Sequence, residues 1–301
     1  MWNFADKFFY QMNQRQIKWL VLLSLAIVWG SSFILMKFAL KGVSPIQVGA
    51  LRMIISGLFL LIIVGYRLRR IEKRHWKYLF YNALAGTFFP AFFFSYAVQH
   101  IDGGVVAILN SLTPLNTLWI GAVFFGFTFS RKQVIGIGLG LMATILLILR
   151  SADLNPSQNY WFAVLVLIAT IGYAINVNIL KKHLSDLDSI SISLGNYVVL
   201  LIPASIVLYF TGFFQQDFTS EPILTAIGYL SILAILGTAL ASIFFAQLVK
   251  MSTPVFASSV TYLIPIVAII WGNIYGEKIY VSQIILGIVI LMAVYLVNNK
   301  K

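Results

Sequence analysis

The sequence predicts an all-α polytopic membrane protein: ten transmembrane helices arranged as two inverted five-helix repeats. Three observations predict it. The 301 residues contain ten long apolar stretches, the basic residues fall unevenly between them, and the chain partly matches itself at an offset of 151 residues. Hydrophobic residues make up 60% of the chain and charged residues only 10%, against roughly 25% charged in a soluble domain. Backbone groups in hydrocarbon must be satisfied internally, so only helices or closed barrels span a bilayer. Barrel strands alternate over about 10 residues, and these apolar runs are longer and unbroken.

A spanning helix needs roughly 20 mostly apolar residues. In order, the predicted spans are 20–36, 46–65, 78–98, 105–127 and 133–149, then 161–180, 190–210, 223–249, 255–275 and 281–297. The predicted organisation is a cytoplasmic leader at 1–18, a first repeat at 19–150, a linker at 151–160, a second repeat at 161–297 and a tail at 298–301. No cleavable signal peptide is apparent in the first 18 residues. Trp2–Tyr10 reads as a poorly ordered leader, with a segment lying on the membrane surface as the alternative.

The net charge is +12, so its location matters. One set of alternate segments carries Lys7, Arg15, Lys18, Arg67, Arg69, Arg70, Lys73, Arg74, Lys77, Arg131, Lys132, Lys181, Lys182, Lys250, Lys300 and Lys301. The other set carries only Lys37, Lys41, Arg150 and Lys278, and Arg52 lies inside a span. That asymmetry is the positive-inside pattern. It places both termini in the cytoplasm and assigns the charge to topology and anionic headgroups rather than nucleic acid.

In the self-match, residues 92–125 pair with 243–276. Pro114 pairs with Pro265, Leu112 with Leu263, Val98 with Val249, Thr87 with Thr238 and Gly136 with Gly287. Five spans is an odd number, so the second copy enters the membrane from the opposite side. That is the inverted-repeat plan of many secondary transporters.

Several residues together resemble a known family. They are Trp29-Gly30-Ser31-Ser32-Phe33, Arg52, Leu112-Thr113-Pro114-Leu115, Leu263-Ile264-Pro265-Ile266, Gly276-Glu277 and the segment from Gln283 to Gly287. Over roughly residues 18–297 the chain resembles the EamA-type ten-helix members of the drug/metabolite transporter superfamily. The resemblance implies a substrate transporter, commonly an exporter of amino acids, metabolites or toxic compounds. One departure stands out: opposite Gly276-Glu277 the first half has Gly126-Phe127, so any role for that acid falls to Glu277 alone.

Polar groups inside spans are costly unless they face a partner or a watery cavity, so they mark the candidate route. Ser258, Thr261, Tyr262 and Pro265 share one helical face, and the offset maps three of them onto Asn110, Ser111 and Pro114. Each proline frees a carbonyl one turn earlier, for a hydroxyl, a water or a ligand. Tyr173 and Asn176 share a face in the sixth span, while Asn178 points to a neighbour. Thr87 and Tyr96 in the third span match Thr238 and Gln247 in the eighth. Ser32 and Trp29 complete the substrate-binding set. Trp29 reads either as a cavity wall or as a filler between helices, and Trp271 as interfacial. Close packing of small and hydroxyl residues is the rival reading of the polar faces.

Arg52 reads as snorkelling to the outer headgroups or as a structural pair. The sharper alternative is attraction of a substrate carboxylate or a gating partner. No Asp or Glu lies mid-span, so candidates for proton coupling are terminal: Asp102, Glu277 and His100, each read as a solvated loop residue. His75 and His183 are also assigned to loops. The coupling ion is left open. So is the choice between monomer and homodimer.

With no cysteines, disulfides, Cys-ligated metals and thiol nucleophiles are excluded. No metal site or cofactor is expected, and no Gly-rich phosphate loop supports an ATP-driven pump. The predicted function is therefore a secondary transporter, not an enzyme. It would move small neutral, zwitterionic or amphipathic metabolites, amino acids or related compounds, outward across the inner membrane by alternating access. A channel-like facilitator and an intramembrane enzyme are the rivals. The cavity is expected between spans 1, 3 and 4 of one half and 6, 8 and 9 of the other.

Overall fold

In the computed structural model, residues 13–125, 131–278 and 280–298 are described. The leader at Trp2–Tyr10, the Gly126-Phe127 pair and the basic residues Lys7, Lys300 and Lys301 lie outside them. Every described regular element is a helix, and the described parts of the ten predicted spans fall on mainly helical stretches. Seven of these are long and apolar enough to cross a membrane unaided, and Val281–Ala293 is a shorter apolar one.

The first helix, α1 (Gln14–Ala39), begins inside the segment expected to be leader. Its start is fixed by a capping box. The Asn13 side chain accepts from the backbone near N3, and the Gln16 side chain accepts from the Asn13 N–H at 3.0 Å. α2 (Pro45–Val64) repeats the device with Ser44 and Gln47, and proline stands at its first turn, where no donor is lost. A tight 3-10 turn, Gly65–Arg70, follows it and carries three arginines.

The third pass consists of α3 (Lys73–Ala83) and α4 (Phe89–His100), joined by a wide π turn at Leu84–Phe88. Within it the Phe89 N–H bonds the Leu84 carbonyl, five residues back. Pro90 explains the widening: its ring crowds the carbonyl of Gly86, four residues earlier. The fourth pass breaks between α5 (Gly103–Asn110) and α6 (Thr113–Phe125), just ahead of Pro114. α7 (Arg131–Leu154) is the fifth.

The second half is α8 (Ala163–His183), α9 (Ser189–Phe210), α10 (Glu221–Ala234), α11 (Ala241–Met251), α12 (Pro254–Ser258), α13 (Ile264–Ile274) and α14 (Val281–Asn298). A second π turn, Ile235–Leu240, joins α10 to α11, and a 3-10 segment, Ser259–Tyr262, joins α12 to α13. These irregularities sit at the offset of 151: Leu84 maps to Ile235, and Ser111 to Tyr262. The halves thus repeat where their helices are distorted, although few side chains match.

The main packing pairs are α2 with α9, α6 and α4 with α8, α13 with α1, and α7 with α14. Leu, Ile and Phe side chains such as Ile62, Ile202 and Phe210 cover the periphery, as lipid-facing surface requires. The end where α1 finishes is called outer below, and the end where it starts inner. At the inner end Asp188 caps α9 and pairs with Arg67 at 3.0 Å, and Lys181 donates to the carbonyls of Val249, Lys250 and Ser252.

His75 and His183 prove to be helical rather than loop residues. The His75 side chain is buried, 3.1 Å from Asp186, and His183 stacks on Tyr78 at 4.1 Å. Both lie at helix ends, where sequence alone blurs the boundary.

Candidate substrate cavity

The two π turns face each other across the bundle, and what they expose defines a cavity. From the first come Gly86 and Thr87; from the second, Gly237 and Thr238. Such turns recur at functional sites because they release backbone groups from the regular ladder. The released Gly237 carbonyl accepts the Trp29 indole N–H at 2.9 Å. Arg52 Nε donates to Thr238 Oγ1 at 2.6 Å, and that hydroxyl donates to the Leu233 carbonyl five residues back. The second turn has no following proline. Side chains inserted from α1 and α2 hold it open instead. Gly86 is required for packing: a Cβ there would run into the Asn176 side chain.

The cavity volume is about 150 Å³. An apolar cavity of about that size admits a benzene-sized guest. Aromatic and thioether groups line it, among them Trp29, Phe33, Met36, Phe94, Tyr173 and Phe245, interspersed in sequence with the polar ones. Amides line it too: Asn82, Asn110, Asn176 and Asn196. Arg52 is the one charged side chain among the described lining residues, and it forms no ion pair there.

The amides are not equally free. The Asn110 backbone carbonyl, released by Pro114, accepts the Thr113 hydroxyl at 2.8 Å, and Asn110 Oδ1 lies 3.2 Å from the same hydroxyl. In the other half, the carbonyl that Pro265 releases belongs to Thr261. It accepts the Ser111 hydroxyl at 2.9 Å, which ties the broken helices of the two halves together. Asn176 Nδ2 donates to the Asn82 backbone carbonyl at 3.2 Å. Asn82 is fully buried, yet neither of its amide atoms has a partner, and Asn196 Oδ1 lacks one as well. Buried polar atoms are rarely left so. Both residues belong to the cavity wall, with these atoms buried behind its surface.

Of the residues expected at the site, Trp29, Ser32, Arg52, Thr87, Asn110, Tyr173, Asn176, Thr238, Ser258 and Thr261 line the cavity. The rest sit elsewhere. Tyr96 stacks on Phe162, Gln247 accepts from Ser189 at 2.6 Å, and Ser111 is spent on the bond to Thr261. Pro114 and Pro265 are buried in the helix joints, and Tyr262 lies in the 3-10 segment. Trp29 is both wall and filler, since its ring also packs edge-on against Phe245 at 5.2 Å. Arg52 points inward to Thr238 rather than outward to headgroups. Trp271, expected at the interface, donates to Ser31 Oγ at 2.9 Å.

Glu277 departs furthest from expectation. It is no solvated loop residue: its side chain is 4% exposed and pairs with Lys37 at 2.8 Å at the outer end. His100 is likewise engaged, stacked on Phe162 at 3.8 Å.

Sequence reasoning missed Asn82 and Asn196. It also missed α2 and α9 as walls, which contribute Arg52, Met53, Ser193, Asn196 and Tyr197. Asparagine in an apolar run was the available signal, but Asn82 lies close to the basic start of its helix, where polarity has a topological explanation.

The EamA-like transporter family matches the chain over residues 16–149 and 160–299, two segments that follow the two halves. Several curated relatives share about a quarter of its residues. A protein of Escherichia coli (strain K12) named "uncharacterized inner membrane transporter YedA" is 24% identical over 93% of this chain and 90% of its own. A protein of Archaeoglobus fulgidus named "uncharacterized transporter" is 27% identical over 94% and 99%. A WAT1-related protein of Arabidopsis thaliana is 26% identical over 94% and 69%. One chain of a crystal structure superposes with a TM-score of 0.64 at 15% identity, over 93% of this chain and 95% of the other. That last likeness concerns the fold alone.

Proposed function

The chain belongs to the EamA-like transporter family, and from that membership we propose that it is an alternating-access carrier for small zwitterionic or amphipathic carboxylates, amino acids and related compounds among them. Export across the inner membrane, with both termini in the cytoplasm, is part of the reading. The observation that carries it is the cavity: Arg52 is its one charged side chain among the described lining residues, set among unpartnered amides and an aromatic wall.

The chemistry follows from that wall. A guanidinium at the edge of a cavity without a carboxylate attracts an anion and binds it through charge-assisted hydrogen bonds. Oδ1 of Asn82 or Asn196 would accept from an ammonium or hydroxyl at the ligand's other end. The rings would cover its apolar body. With no acid among the described lining residues, a polycation or a bare metal ion has nothing there to neutralise it. A volume of about 150 Å³ favours small solutes.

Purified protein in proteoliposomes provides the test. A panel of labelled amino acids and other small carboxylates is offered, and saturable uptake is compared with counterflow. Stimulation by unlabelled substrate on the far side marks a carrier. Uptake that neither saturates nor shows counterflow would favour a channel and remove this reading. Product formation would point to an enzyme.

A further inference from the structure

Glu277 is placed by two glycines, Gly276 and Gly272. Gly276 has φ of +86°, a conformation other residues rarely adopt, and it lets the chain reverse at the end of α13, so that the Glu277 N–H bonds the Gly272 carbonyl at 2.8 Å. The reversal turns the Glu277 side chain back into the bundle. Gly272 makes room for it: a Cβ there would stand 2.6 Å from Oε2. Gly103, the first residue of α5, lies against the same carboxylate, with its Cβ position 3.7 Å from Oε1 and 3.8 Å from Oε2. The carboxylate is thus held in a close fit against Gly272 and in van der Waals contact with Gly103, one from each half.

The charges around it do not balance. Oε1 takes the Lys37 ammonium at 2.8 Å, while Oε2 is buried without a hydrogen-bond partner. Asp102, at the cap of α5 and next to Gly103, is within electrostatic reach of both Glu277 and Lys37. Its backbone N–H donates to Gln158. Two carboxylates therefore share one ammonium. The other charged or titratable groups around them are Tyr160, which feels Asp102, Tyr280, which feels Tyr160, and exposed Lys278, next in sequence. α13 contributes Gly272 and no charge.

We propose that Lys37, Asp102 and Glu277 form a proton-binding latch at the outer face: the Lys37–Glu277 pair holds α1 against the turn after α13, and a proton taken up beside it offsets the second carboxylate and keeps that face closed. Opening the cavity outward separates α1 from α13 and breaks the pair. This inference rests on the carrier reading and specifies how its outer gate is regulated.

The direction of the pH effect can be worked out. Burial, mainly, pushes the Asp102 carboxyl above its usual range, and the neighbouring Glu277 charge adds to this; Gln158 and Lys37 act against it. In an outward-open form Asp102 meets water and titrates as an ordinary aspartate. The closed form therefore holds the proton more tightly, and acid favours closure. As pH rises through the elevated value, a second negative charge develops beside Glu277 and opening is favoured.

The chain has no cysteine, so a single introduced thiol reports without background. With Ser32→Cys in the cavity wall, labelling by a membrane-impermeant maleimide applied to the outer face should be slow. It should speed up about tenfold when Glu277→Gln or Lys37→Gln is added, and stay slow with Lys37→Arg. Rates are normalised to an exposed cysteine at Thr219 to remove the thiol's own pH dependence. The normalised rate should rise with pH, and Asp102→Asn should flatten that rise. Unchanged rates in folded Glu277→Gln and Lys37→Gln protein, or a pH response that survives Asp102→Asn, would overturn the latch. If Glu277→Gln fails to fold, the two Lys37 variants decide. Because labelling reads opening and not flux, a latch that responds while counterflow is absent would sink the carrier reading alone.

Discussion

Arg52 sits on a helix that is otherwise almost wholly apolar, and its one hydrogen bond among the described residues goes to a neutral hydroxyl. A half-buried cation with no ion pair among the described residues favours an anion beside it. Hydrogen bonds to charged groups contribute about 1.5–3 kcal/mol, so Arg52→Gln should weaken a bound carboxylate ligand roughly ten- to hundredfold. The ligand's methyl ester, which offers no charge, should lose much less. Competition binding with acid and ester checks this. Asn110→Leu is the neutral counterpart. It removes one amide from the wall and the contact with Thr113, but leaves the freed backbone carbonyl bonded to the Thr113 hydroxyl. At about 0.5–1.5 kcal/mol per neutral hydrogen bond, affinity should fall roughly three- to tenfold, with an unchanged elution profile on size exclusion. Full affinity in folded Asn110→Leu protein would move the ligand away from the break between α5 and α6.

At the scale of elements, the distorted turns matter more than the regular helices. Gly86 lets the π turn at Leu84–Phe88 pass Asn176 on α8. Gly86→Ala inserts a methyl where no space exists, and overpacking costs about 1–3 kcal/mol. The midpoint of thermal unfolding in detergent should therefore drop by several degrees, while Gly228→Ala, which meets nothing within 4 Å, should not lower it. The inner end of α3 is held differently. Asp186 accepts from Arg74 at 2.7 Å and lies 3.1 Å from His75, and its carboxyl is held below the usual range chiefly by His75. Its contribution is present above the unfolded value of about 3.9 and is lost as pH falls through the lower folded value. Asp186→Asn should flatten the acid side of a stability–pH curve. These elements were unequally legible in the sequence. Apolar length found the helices, and Pro114 and Pro265 marked the two helix breaks; Pro90, just after the first π turn, was a mark the sequence reading passed over. The turn at Ile235–Leu240 carried no such mark, because its cause is contact with Arg52 and Trp29 from distant segments. Glu277 looked like loop for the same reason: only the reversal at Gly276 shows that it points inward.

For the whole molecule, the cavity's position follows from the duplication. α7 and α14 pack on each other, and none of their described residues lines the cavity. Each half brings its own π turn and its own broken helix, and the Ser111–Thr261 bond joins the two breaks. A single copy would leave Asn110 and Thr113 facing lipid, where polar side chains are costly; two copies enclose them. The reading of α9 as a full crossing makes a topological prediction for this cysteine-free chain. A lone cysteine replacing Thr219, in the exposed turn before α10, should react with an impermeant reagent added outside intact cells. One replacing Asp186, between α8 and α9, should react only in inverted vesicles. Both turns belong to the second half and flank α9, so a single crossing must separate them. Reaction of both from the same side would mean that α9 does not span, and without that crossing the cavity would lose Asn196, Tyr197 and its closed wall.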